Sequence, residues 1–225
     1  MNRDTAGRRI EQIGIIPSVR VSSAEDARFA AETVSEAGIP IVEITMTIPD
    51  ALTVIAQLAT AMPNLVIGAG TVIDTQTARQ CLDAGARFIT SPGLDAGVVE
   101  FAREHDVLTL PGVLTPTDIM AARRLGADFV KVFPCGAMGG PTYLKALSAP
   151  FPDVRFVAAG GVNQQTTAEF ISAGAIALGI GNELIPKKAV AERDRRWITE
   201  LAHRFLNLIA EARQWAGQDE LFHRQ

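Results

Sequence analysis

Only two cysteines, three histidines and one tyrosine occur among 225 residues. Cys81 and Cys135 show no CxxC or Cys/His spacing of the kind that builds a structural metal site. A chain of this length also needs no disulfide or metal staple to bury a core. No apolar run approaches the ~18 residues of a membrane span, and the polar opening Met1–Thr5 has no apolar signal core. A reducing cytoplasm and no membrane partner are the expectation. Neither sign of charge prevails, with 21 Lys plus Arg against 25 Asp plus Glu and a net charge of -4. That balance argues against nucleic acid as a partner. The local cluster Arg193, Arg195 and Arg196 is diluted by Glu192 and Asp194 and reads as a solvated helix face.

What is abundant is a rhythm. Short β-rich apolar runs recur roughly every 20–27 residues, the spacing of strand–helix units joined by brief loops. Eight are legible: 13–20, 39–47, 65–71, 86–91, 107–111, 127–133, 154–159 and 175–180. Helix-forming segments lie between them, at 24–37, 50–61, 75–84, 95–105 and 116–125. Gly38, Gly85, Gly126 and Gly174 each follow a helical segment and precede a strand, as helix-closing glycines do. Ser22 or Ser23, Asp74, Thr115 and Asn163 are the expected N-caps. Near-continuous apolar strands imply a parallel sheet covered on both faces. Eight units in this length favour an α/β fold, a closed (β/α)8 TIM barrel, with an extra N-terminal helix up to Gln12 and a last helix over 189–215. With no internal linker, 1–225 reads as one domain, with 217–225 a flexible tail.

Barrel active sites form at the C-terminal ends of the strands, and two residues there carry chemistry. The chain has four lysines: Lys131, Lys145, Lys187 and Lys188. Only Lys131 sits mid-strand among apolar residues. Alternation puts Phe129, Lys131 and Phe133 on one face and the β-branched Val130 and Val132 on the helix-facing side. Lys131 is therefore expected inside the barrel. Burial favours the neutral amine, the form that attacks a carbonyl to give a Schiff base. A lysine that snorkels to the barrel mouth or pairs structurally would fit the same pattern. In Ile41–Thr45, Glu43 and Thr45 share a face. The second and sixth strands contribute to common interior layers, so Glu43 can meet Lys131. The pair could shuttle protons or be a plain buried ion pair.

Two further loops suggest phosphate. Gly160-Gly161 precedes a helix, and Gly181-Asn182 ends the last strand. Loops after strands 7 and 8 often bind phosphate through backbone N–H groups. Tight βα turns need glycine too, and such loops would also suit a phosphate-binding barrel isomerase or synthase, or a non-catalytic ligand-binding barrel. His105, His203 and His223 lie in helical or tail contexts, so neither a metal nor another cofactor is expected, and Cys135 has no activating histidine.

Several of these segments occur together in one known family. The stretches 42–51 (VEITMTIPDA), 68–71 (GAGT), 91–95 (SPGLD), 111–118 (PGVLTPTD), 131–134 (KVFP) and 160–162 (GGV) resemble the KDPG aldolase family (2-dehydro-3-deoxy-6-phosphogluconate / 4-hydroxy-2-oxoglutarate aldolase) over about 14–185. The resemblance implies a metal-free class I aldolase on a (β/α)8 barrel that gives pyruvate and an aldehyde and assembles as a homotrimer. It implies Lys131 as the Schiff-base lysine and Glu43 as the acid–base. Thr71 would hold the pyruvate carboxylate, with Arg20 the available cation. Thr45, Thr47, Pro92 and Phe133 would line the pocket, and Gly160, Gly161, Gly181 and Asn182 would bind phosphate. The chain departs from the family at Thr47, where some members have Arg. It departs again at Ala159 and Asn182, where many have Thr and Ser.

Overall fold

The computed structural model describes residues 2–222, with side chains as far as 215. Its first element, α1 (Arg3–Ile13), starts where Asn2 Oδ1 accepts the Thr5 N–H and ends at Gly14, whose φ of 75° is left-handed. Ala6, Gly7 and Ile10 are buried on its inner face, with Gly7 beside Leu108 and Phe129. This helix floors the end of the barrel at which the strands begin. Arg3 fixes it there by pairing with Asp128 at 2.6 Å.

Strands and helices then alternate: β1 (Ile15–Val19), α2 (Ala24–Glu36), β2 (Ile41–Thr45), α3 (Ala51–Ala61), β3 (Val66–Gly70), α4 (Thr75–Asp83), β4 (Phe88–Thr90), α5 (Ala96–Glu104), β5 (Leu108–Leu110), β6 (Gly112–Val113), α6 (Pro116–Leu125), β7 (Val130–Val132), α7 (Pro141–Ser148), β8 (Phe156–Ala159), α8 (Thr167–Ser172), β9 (Ala175–Ile180), α9 (Lys187–Ala191) and α10 (Arg195–Phe222). Ser23, Asp74 and Thr115 cap their helices, Thr115 in a reciprocal capping box with Asp118. The four helix-closing glycines all have positive φ.

All strand pairs are parallel, in the order β5-β4-β3-β2-β1-β9-β8-β7-β6. The two ends of that order are consecutive in the chain, separated by Pro111 alone. β5 pairs with β4 and β6 pairs with β7, so the covalent link through Pro111 closes the barrel. Nine segments therefore make eight barrel positions. Proline lacks the N–H that a ladder needs, but its carbonyl still accepts from Lys131 N at 2.9 Å.

Two local expectations are corrected. The last helix is two helices, because Arg193 turns left-handed (φ 53°) and pairs with Glu25 and Asp26 of α2, while Asp194 caps α10 through the Trp197 N–H. The backbone stays helical past Gly217 to Phe222; residues 223–225 of the expected tail lie outside the described residues. Asn163 caps a turn, accepting from Thr166 N, and α8 begins only at Thr167.

Interior packing explains the GAGT stretch. The inward-facing residues of β3 are Gly68 and Gly70. A methyl on Gly68 would overlap the ring of buried Phe88, and one on Gly70 would overlap the Glu43 carboxylate. Small residues on one strand thus make room for large ones on its neighbours, as close packing of a small barrel demands.

Candidate active site

At the C-terminal ends of the strands, Ser18, Arg20, Glu43, Lys131, Phe133, Ala159, Gly160, Gly179 and Gly181 enclose a pocket of about 190 Å³. Every strand contribution follows from alternation. Ser18 and Arg20 continue the inward face of β1, Glu43 that of β2, and Lys131 and Phe133 that of β7. Lys131 Nζ lies 3.7 Å from Glu43 Oε2 and 5.5 Å above the centre of the Phe133 ring. The lysine side chain keeps 13% of its surface exposed, facing the pocket, and that of the glutamate 4%.

Glu43 is held from three sides. The Ser18 hydroxyl donates to Oε1 at 2.7 Å and the Thr90 hydroxyl to Oε2 at 2.6 Å, while the Lys131 amine stands beside Oε2. Burial pushes the carboxyl group's pKa upward, but Lys131, the two hydroxyls and the more distant Arg20 outweigh it and hold Glu43 below its ordinary 4.5. The pocket therefore contains an ionised carboxylate within reach of an amine, the arrangement needed to move protons as that amine adds to a carbonyl.

The other expected site residues divide. Gly160 and Gly181 line the pocket; Gly161 and Asn182 do not. Gly161 lies against the backbone of Gly136, whose N–H donates to Gly160 O at 2.7 Å, so the glycine pair also serves a close crossing of two loops. Asn182 Oδ1 accepts from Lys187 N at 3.3 Å. Thr45 is fully buried and gives its hydroxyl to Val19 O at 2.9 Å, away from the pocket. Thr47 is exposed and, with Arg20 and Lys187, lines a larger adjoining cavity of about 520 Å³. Arg20 is the wall common to both cavities. Thr71 leaves β3 with a left-handed φ of 63°, a conformation that costs a non-glycine residue on the order of 1–3 kcal/mol and recurs at functional sites. Pro92 is exposed, its backbone packed so closely on Gly112 that a side chain there would clash.

Ser18 and Thr90 were not expected from the sequence. Their signal was parity: each is a hydroxyl residue in an inward-facing set, Ile16–Ser18–Arg20 and Phe88–Thr90, at the open end of its strand. The free thiols are remote from reactivity. Burial, and secondarily Asp74, pushes Cys81 up to about 12, and burial pushes Cys135 up to about 11.

A lysine on β7 against a glutamate on β2 inside a (β/α)8 barrel coincides with a match to known sequences. The model of the KDPG and KHG aldolase family covers residues 7–201. The chain belongs to this family. A 2-dehydro-3-deoxy-phosphogluconate aldolase of Pseudomonas aeruginosa is 35% identical over 200 residues, 89% of this chain and 91% of the relative. One from Treponema pallidum is 32% identical over 89% of this chain and 95% of its own. The crystal structure of KDPG aldolase from Legionella pneumophila, with pyruvate captured at low pH as a covalent carbinolamine intermediate, superimposes with a TM-score of 0.81 at 32% identity, covering 88% of this chain and 96% of that one.

Proposed function

We propose that this aldolase cleaves 2-dehydro-3-deoxy-6-phosphogluconate, or a related 2-keto-4-hydroxy acid, reversibly to pyruvate and an aldehyde such as glyceraldehyde 3-phosphate, by a class I mechanism without a metal. The observation that carries this reading is Lys131 Nζ at 3.7 Å from Glu43 in a pocket at the strand ends. Support also comes from the relatives' activity and from the donor set. Among the described residues no three His, Cys, Asp or Glu side chains gather to hold a metal ion.

The Glu43 carboxylate takes a proton from Lys131, and the freed amine attacks the C2 ketone to form a carbinolamine. Loss of water, with the proton supplied by Glu43, leaves an iminium. That iminium accepts the electron pair of the C3–C4 bond as the C4 hydroxyl gives its proton to the Glu43 carboxylate. The aldehyde departs and an enamine remains. Protonation at C3 and hydrolysis release pyruvate and restore the amine. Arg20 and Thr71 hold the carboxylate. The Gly160-Gly161 and Gly181-Asn182 loops take the phosphate through backbone N–H groups, since Asn182 Oδ1 is already committed to Lys187 N. Assembly as a homotrimer belongs to the same proposal, supported by exposed Ile73, Met120 and Met138. So does a cytoplasmic location, supported by two free thiols. Among the described residues no helix is long and apolar enough to cross a membrane.

Borohydride reduction in the presence of pyruvate tests the mechanism. One reduced pyruvyl adduct is expected, on Lys131, and Lys131→Ala abolishes both adduct and turnover. An adduct on Lys145, or none, refutes the Schiff-base assignment.

A further inference from the structure

The two hydroxyls on Glu43 are not equivalent. Thr90 is buried to 1% exposure, donates to Oε2 on the Lys131 side, and is absent from the pocket wall. Ser18 donates to the opposite oxygen, Oε1, and does belong to the wall, with Arg20 and Lys131. The Cα atoms of Ser18 and Glu43 are partners in the β1–β2 ladder, which fixes the hydroxyl over the carboxylate. Glu43 itself is 3% exposed. A serine whose hydroxyl lies 2.7 Å from the buried carboxylate, in a residue that lines the cavity, is suited to a relay.

We infer that Ser18 is a further catalytic residue, carrying the proton between Glu43 Oε1 and C3 of the bound pyruvyl group. This rests on the Schiff-base reading above. After C3–C4 cleavage the proton taken from the C4 hydroxyl resides on Glu43. In the relay step Ser18 gives its hydroxyl proton to C3 of the enamine and takes the Glu43 proton in return. A C3–H bond forms, the serine O–H breaks and re-forms, and the glutamic O–H breaks. The enamine π-electron pair becomes the new C–H bond, and the nitrogen lone pair closes the C2=N iminium. The carboxylate is regenerated and no other reactant is consumed. Thr90, whose hydroxyl donates to Glu43 and which is absent from the pocket wall, is a positioning residue.

The experiment separates carrying from holding. Exchange of the pyruvate methyl protons for deuterium is followed by NMR across pH, alongside borohydride trapping, in the wild type and in Ser18→Ala, Ser18→Thr and Thr90→Val. The charged groups facing Glu43 are Lys131 from β7 and Arg20 at the end of β1, and all variants retain both. Ser18→Ala is expected to keep trapping on Lys131 but to lose exchange at least tenfold at every pH, and Ser18→Thr to restore it. Thr90→Val is expected to lose exchange on the acid side only, with recovery as pH rises. Wild-type exchange in Ser18→Ala, or identical pH-dependent losses in Ser18→Ala and Thr90→Val, overturns the relay while leaving the Schiff base intact. Absence of trapping in the wild type overturns the Schiff-base reading, and the relay with it.

Discussion

The carboxylate of Glu43 occupies the space that a side chain on Gly70 would fill. The two residues belong to neighbouring strands, β2 and β3, and both face the barrel axis. Room for this carboxylate is thus created by an absence on the adjoining strand. Gly70 has no left-handed φ, so its requirement is one of volume.

Gly70→Ala should therefore act as an overpacking substitution at the site. A stability loss of about 1–3 kcal/mol is expected from denaturant unfolding, together with a turnover at least tenfold lower as Glu43 is displaced. Unaltered turnover would mean that Glu43 can shift without consequence.

Glu43→Gln keeps the size of the side chain and removes its ability to exchange a proton. Turnover should fall by roughly 10²–10⁴-fold, the usual contribution of a general acid–base group, with pyruvate still able to enter. Steady-state kinetics decide it; normal turnover would return Glu43 to a structural ion pair.

Arg20→Ala removes the exposed cation common to both cavities. On the proposed reading it pairs with a carboxylate present in the ground state and the transition state alike, so its loss should appear mainly in KM. A rise of roughly tenfold or more is expected, from a charge-assisted hydrogen bond worth about 1.5–3 kcal/mol. An unchanged KM would place carboxylate binding elsewhere.

The pH profile should carry the mark of the lowered Glu43 pKa. A carboxyl group depressed on folding contributes stability that is fully present above its ordinary 4.5 and is lost as pH falls through the folded value. The acid limb attributable to Glu43 should accordingly lie below the usual carboxylate range. Removing the Thr90 hydroxyl should move that limb upward. A limb that moves down in Thr90→Val would contradict the hydrogen-bond assignment.

Chelation should leave the reaction unaffected, because in the proposed mechanism an iminium is the electron sink. Activity measured after treatment with EDTA should match the untreated enzyme. Loss restored by a divalent ion would assign the protein to a metal-dependent mechanism.

Much of this was determined by the sequence alone. Strand–helix periodicity and helix-closing glycines give the barrel, because each is a local consequence of burial pattern and backbone sterics. The parity of Lys131 and Glu43 on their strands turns both inward for the same reason. What tertiary structure decided are relationships between strands that no single strand encodes. The barrel closes through Pro111 because β5 and β6 find different neighbours. Thr45 shares Glu43's face, yet its hydroxyl is captured by the Val19 carbonyl on the adjacent strand. Ser18 and Thr90 reach opposite oxygens of Glu43 only after β1, β2, β3 and β4 pair in register. Periodicity fixes which way a side chain points; register and packing fix what it meets.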